Sequence, residues 1–277
     1  MAKTIQGFDP NGSFYEERHP DHAQSRTPLV LIHGVGLDHE MWEWQMPLLS
    51  ERYVTIRYDL LGHGRTTNPT PAERLQDFVE QLCALLDYLE LDVVHLAGFS
   101  LGALIAQCFC RDNAHRLASI CFLNGVYKRL DSELVQVKKR LELTREQGAG
   151  ATVDMALERW FSPGYRTAHP EVMAQISLRL MDNDLDGYVR AYDCFVHGDP
   201  EVGDALSSVS CPALVMTAQN DVGSTPAMSE RIAADIRDAR VVVLPVLAHG
   251  APIEGASEMA TEILQFLDTA ESQLATT

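Results

Sequence analysis

The sequence predicts an α/β domain built on a mostly parallel sheet, and three observations lead there. Short apolar runs ending in glycine-punctuated turns recur along the chain: PLVLIHGVG (28–36), YVTIRYDLLGHG (53–64) and VVHLAGFSLG (93–102). Between them lie stretches whose apolar residues repeat at helical spacing. Strand and helix therefore alternate, and alternation calls for crossover connections and parallel pairing.

Taken in order, the run at 28–36 is a buried strand with a glycine-rich exit. MWEWQMPLLSE (41–51) has a helix-compatible pattern that Pro47 weakens in its middle. The run at 53–64 is a second strand. ERLQDFVEQLCALLDYLEL (73–91) places Leu75, Phe78, Val79, Leu82, Leu86 and Leu89 on one face, which predicts an amphipathic helix. A strand and a helix follow on either side of Ser100, and ASICFLNGV (118–126) is another buried strand. From 127 to 209 the rhythm changes. SELVQVKKRLELTREQ, ATVDMALERWF, EVMAQISLRLM and LDGYVRAYDCFV are helical, with no convincing strand among them. CPALVMTAQND (211–221) and ARVVVLPVLAHG (239–250) resume the strands, and SEMATEILQFLDTAES closes the chain as a helix. The economical organisation is a core of 1–126 and 210–277, interrupted by a helical insertion over 127–209.

Composition narrows the function classes. The 277 residues are 46% hydrophobic and 22% charged, ordinary for one soluble globular domain with an insertion. A net charge of −17 argues against nucleic acid or an anionic membrane as partner. No apolar stretch approaches the roughly 20 residues of a membrane span. MAKTIQGFDPNGSFYEERH lacks the apolar region of a secretory signal. The six cysteines are scattered through apolar segments, which predicts reduced, buried thiols and a cytoplasmic protein. The expected partner is a small-molecule substrate, with a homo-oligomer left open.

The chemistry starts at Gly98-Phe99-Ser100-Leu101-Gly102. G-x-S-x-G is a weak pattern alone, but here it leaves an apolar strand and enters a helix, as a nucleophile elbow must. So sharp a turn crowds the backbone and needs small residues two positions to either side of the serine. A serine that merely caps the helix would not need both glycines.

A serine hydroxyl at neutral pH needs a base, usually an imidazole oriented by a carboxylate. His249 follows the last strand, at the sheet edge where groups collect beyond the carboxyl ends of parallel strands. His33 and His63 also follow strands, but each is held in a turn beside glycine. His95 lies within a strand and packs or hydrogen-bonds locally there. His19, His22, His39, His115, His169 and His197 are expected at the surface or at helix ends. Asp221 closes its strand in the matching place for the carboxylate. Asp59 also follows a strand, yet the LLGHGRT loop after it gives an Asx-type turn contact as the plainer explanation. Ser100, Asp221 and His249 thus run in the order Ser…Asp…His. The Val35 N–H, in the loop His33-Gly34-Val35-Gly36, and the Leu101 N–H are the expected oxyanion donors. No phosphate-binding glycine motif is present, and no clustered metal ligands are. No cofactor is expected.

With those residues in hand, the chain resembles the α/β-hydrolase superfamily through LIHGVG, YDLLGHGRT, GFSLG, NDVGSTP and AHG. It looks most similar to the 3-oxoadipate enol-lactonase branch, through GVGLDHEMW, YDLLGHGRT, ERWFSP and DVGSTPAMSERIA. The resemblance implies an eight-stranded, mostly parallel sheet with a helical cap inserted after the sixth strand. It also implies the same triad and oxyanion donors. Ala103, where many members carry a second glycine, and Leu61, in place of a frequent arginine, are departures that do not touch the triad.

The reaction this implies is a serine attack on a carbonyl of a small lactone or ester. Carbon–carbon hydrolysis of a ring-cleavage product, or a slow-turnover ligand receptor on the same fold, are the alternatives. A cofactor-independent oxidase or perhydrolase is a more distant one. Within the insertion, Trp160 and Phe161 either wall the substrate pocket or anchor the insertion to the core. Lys128 and Arg129 either attract a substrate carboxylate or remain solvated.

Overall fold

A computed structural model describes residues 3–21, 26–69 and 71–274. His22 lies outside the described residues. Eight strands form one sheet: β1 (Lys3–Phe8), β2 (Phe14–His19), β3 (Leu29–Ile32), β4 (Thr55–Tyr58), β5 (Val94–Phe99), β6 (Leu117–Leu123), β7 (Ala213–Ala218) and β8 (Ala239–Leu244). Their spatial order is β1-β2-β4-β3-β5-β6-β7-β8. The pairs β1/β2 and β2/β4 are antiparallel, and every pair from β4 through β8 is parallel.

The antiparallel hairpin β1–β2 was not anticipated from the sequence. Its signal is Asp9-Pro10-Asn11-Gly12, where the Asp9 carboxylate accepts the N–H groups of Asn11 and Ser13 and folds the chain back.

The helices are α1 (Met46–Leu49), α2 (Leu75–Tyr88), α3 (Leu101–Asn113), α4 (Asp131–Gln147), α5 (Val153–Trp160), α6 (Pro163–Ala168), α7 (Pro170–Met181), α8 (Leu185–His197), α9 (Asp199–Val202), α10 (Pro226–Ala234), α11 (Ala251–Glu254) and α12 (Ala256–Leu274). Pro47 lies in the first turn of α1, where its missing N–H costs nothing, so it starts that helix rather than interrupting one. Among the described residues the chain between β6 and β7 contains helices and turns and no strand.

The central strands serve two cores because successive side chains point to opposite faces. Val30 and Ile32 of β3 pack with α2 and α3, while Leu29 and Leu31 face α1 and α12. Helix α3 is enclosed, with every residue from Leu101 to Cys110 buried. That burial holds the turn before α3 rigid against the middle of the sheet. Among the described residues the six cysteines are free thiols, five buried and Cys83 partly so.

Candidate active site

Strand β5 runs straight into α3 with one residue between them, and Ser100 is that residue. Its φ of 55° and ψ of −110° lie where non-glycine residues are strained. The strain is imposed by packing. A Cβ at Gly98 would sit 2.2 Å from the Gly102 carbonyl oxygen, and one at Gly102 would sit 2.4 Å from that of Ile32. Both positions therefore require glycine. The Ser100 hydroxyl does not cap α3. Its backbone N–H is spent on Leu123 of β6 at 2.9 Å, which ties the turn to the neighbouring strand.

Strands β7 and β8 bring in the acid and the imidazole. His249 Nδ1 lies 2.6 Å from Asp221 Oδ2. The same carboxylate is held from three further directions: Asn124 Nδ2 donates at 2.8 Å, Gly223 N–H at 2.8 Å and Ser224 N–H at 2.9 Å. Burial alone would push this carboxyl up, but the imidazole and these donors outweigh it and hold it below the usual range. The ring of His249 packs against Phe99 at 5.0 Å and Trp160 at 5.9 Å between centroids. Gly250 N–H donates to the Trp160 carbonyl at 2.7 Å and pins the histidine loop to the end of α5.

Ser100 and His249 line one cavity of about 370 Å³, together with Gly34, Val35 and Phe99 from the sheet side. Among the described residues the Val35 N–H has no acceptor. Leu101 is the first residue of α3, so its N–H has no acceptor within the helix. Both are free to face an incoming oxygen.

Two buried histidines brace the loop that carries Val35. His33 Nδ1–H donates to Gly34 O at 2.8 Å, and its Nε2 accepts from Leu60 N–H at 2.9 Å. His63 Nδ1–H donates to Leu61 O at 3.0 Å, and its Nε2 accepts from Gly36 N–H at 3.0 Å. Each ring thus laces the 33–36 loop to the 60–63 loop and must be neutral to do so. Burial depresses His33 to about 3 and His63 to about 4. Neither is available as a base. Asp59 is a loop anchor, accepting from His39 N–H and Nδ1 and from Arg65 N–H.

The remaining sequence candidates divide. Trp160 lines the cavity, but Phe161 does not. Phe161 is buried against Gly250 and stacks on Tyr165 with centroids 5.6 Å apart, so its part is anchoring. Lys128 does not line the cavity either; it is exposed and paired with Asp235 at 2.5 Å. Arg129 reaches the lining, yet its guanidinium is taken up by Asp199 and by the Phe195 and Val196 carbonyls. Its charge is neutralised within the protein. Two arginines passed over in the sequence, Arg140 and Arg159, line the cavity instead. The third missed residue is Asn124, which sits in the turn after β6 with φ 46° and steadies Asp221.

A strained serine at a strand-to-helix turn, a carboxylate-held imidazole and a shared cavity define a hydrolase of the α/β type. The model of the alpha/beta hydrolase family matches residues 29–263, and the chain belongs to that family. It is 31% identical over 269 residues to an (E)-2-((N-methylformamido)methylene)succinate hydrolase of Acinetobacter baylyi, covering 97% of this chain and 99% of that one. It is 27% identical to 3-oxoadipate enol-lactonase 2 of the same organism, over 79% of this chain and 80% of the other. Among solved structures, the enol-lactonase of Burkholderia xenovorans superposes with a TM-score of 0.84 at 26% identity. That match covers 95% of this chain and all of the other.

Proposed function

We propose that this protein is a serine hydrolase that opens a small lactone or carboxylic ester through an acyl-enzyme on Ser100, with no cofactor in the cycle. One observation carries the reading: the hydroxyl on the strained turn and the Asp221-held imidazole open onto the same cavity.

In this cycle Ser100 Oγ attacks the substrate carbonyl while His249 Nε2 takes its proton. The oxygen that gains charge is received by the Val35 and Leu101 N–H groups. Collapse of the tetrahedral intermediate breaks the bond to the leaving oxygen, and the imidazolium returns the proton to it. Water then attacks the acyl-enzyme, giving its proton to His249, and Ser100 regains its hydrogen as the acid departs. Asp221 keeps the Nδ1 side of the ring protonated throughout, so Nε2 always faces the reaction. The helices between β6 and β7 act as a cap in this reading, with Trp160 as a wall above the imidazole.

The deciding experiment compares kcat/KM on 3-oxoadipate enol-lactone and on 4-nitrophenyl butyrate, for wild type and Ser100→Ala. A lactone value above roughly 10⁴ M⁻¹s⁻¹, abolished in the variant, is the expected result. Ester turnover with a negligible lactone rate discards the lactone and keeps the triad. A second reading is favoured by the relative that covers 97% of the chain: the carbonyl attacked belongs to an N-methylformamidomethylene succinate. Including that compound in the same assay separates the two.

A further inference from the structure

We propose that Arg140 and Arg159 form an anion subsite that selects substrates carrying a carboxylate away from the scissile carbonyl. The proposal rests on Ser100 and His249 being the reacting groups of this cavity.

The argument begins with charge accounting around the lining. Four ionised side chains other than the triad reach it: Arg129, Glu133, Arg140 and Arg159. Arg129 is neutralised by Asp199, and Glu133 by Arg231, whose Nη2 lies 3.0 Å from each of its oxygens. Among the described residues the other two have no such partner. Arg140 donates its Nε–H only to the neutral Tyr192 hydroxyl, at 3.2 Å. Arg159 has no hydrogen bond or ion pair among the described residues, and its Nε is buried.

That arrangement is costly as it stands. A half-buried cation without a counter-ion loses part of its hydration and gains little in return. Burial is the largest effect weakening the hold of Arg159 on its charge, and the like charge of Arg140 adds to it. Asp221 acts in the opposite direction, but that carboxylate is already shared among His249, Asn124, Gly223 and Ser224. A ligand carboxylate would satisfy both arginines at once, because a guanidinium matches its two oxygens with parallel N–H donors.

The backbone is shaped for this guanidinium too. A Cβ at Gly223, two residues after Asp221, would come within 3.2 Å of Arg159 Nη1. Arg159 therefore lies beside the loop that carries the acid, on the way to the imidazole. A cavity of about 370 Å³ suits a small metabolite. In a chain of net charge −17, which repels anions at long range, two uncompensated arginines in the substrate cavity single out an acidic substrate.

The test uses mono-(4-nitrophenyl) succinate and 4-nitrophenyl butyrate, esters of similar length that differ in the terminal carboxylate. The ratio of their kcat/KM values is measured for wild type, Arg140→Gln, Arg159→Gln, Arg159→Lys and Lys128→Gln. Calorimetry on the same proteins reads the binding of succinate and of inorganic phosphate. Wild type is expected to prefer the acidic ester at least tenfold. Each glutamine variant is expected to lower that ratio about tenfold and to weaken succinate. Arg159→Lys keeps the charge without the fork and retains part of both effects. Lys128→Gln keeps the wild-type ratio.

A wild-type ratio near one, or a ratio unchanged in both glutamine variants, overturns the subsite while leaving the triad intact. Phosphate binding more tightly than succinate overturns the carboxylate assignment. If neither ester turns over, succinate binding that weakens in both glutamine variants sustains the subsite, and succinate binding unchanged in both overturns it.

Discussion

Among the described residues two histidine–carboxylate pairs are buried on both sides and have nearly equal geometry. His249 Nδ1 lies 2.6 Å from Asp221, and His39 Nδ1 lies 2.7 Å from Asp59. In both, a carboxylate at the end of a strand orients an imidazole and also accepts backbone N–H groups. The difference is what the far edge of each ring meets. The cavity beside His249 holds Ser100, whereas the one beside His39 is lined by no serine, threonine or cysteine. An oriented imidazole is therefore a base only where the backbone delivers a nucleophile to it. Elsewhere the same pair is a brace, here tying the turn at His39–Trp42 to the loop after β4.

The sharpest way to break this comparison is to amputate both carboxylates. Asp221→Asn is expected to lower kcat by about 10⁴ with the fold intact, because the imidazole loses its tautomer and orientation. Asp59→Asn is expected to cost stability instead, about 3 kcal/mol or more for a broken buried pair, with kcat of the folded protein changed only a few-fold. Thermal melts alongside initial rates read both quantities. A 10⁴-fold loss in a stable Asp59→Asn protein would erase the distinction.

A smaller effect is expected at the neighbour of the pair. Asn124→Ala removes one charge-assisted bond to Asp221, of about 1.5–3 kcal/mol. If the bond matters most when His249 carries its extra proton, kcat falls about tenfold or more while KM moves little. A KM effect at constant kcat would place Asn124 in substrate binding instead.

His33 and His63 predict the pH response of stability. The unfolded chain binds protons on these rings at about 6.5, but the folded chain resists down to about 4 at His63 and about 3 at His33. Their contribution is complete above pH 6.5 and is lost as the pH falls through 4 to 3. Melting temperature should accordingly decline below pH 6.5, and His63→Gln should flatten that decline while lowering the value at neutral pH. An unaltered slope would show that these rings do not set it. The least effect is expected at Lys128→Gln, which should leave kcat/KM on a neutral ester as it is.

The strands, the long helices and the elbow were legible because each is a local matter. Alternating burial needs apolar runs, an amphipathic helix needs its spacing, and a turn as tight as Gly98–Gly102 admits almost no other residues. The order of Ser100, Asp221 and His249 along the chain followed from where parallel strands end. What the sequence could not say is which of many similar side chains meet. Arg129 and Arg159 are alike on paper. One turns back onto Asp199 and the other is left facing the cavity. Phe161 and Trp160 are adjacent, yet the end of α5 sends one into the anchor and the other over His249. Charge pairing and side-chain direction depend on distant segments arriving together. They were decided by the tertiary structure alone.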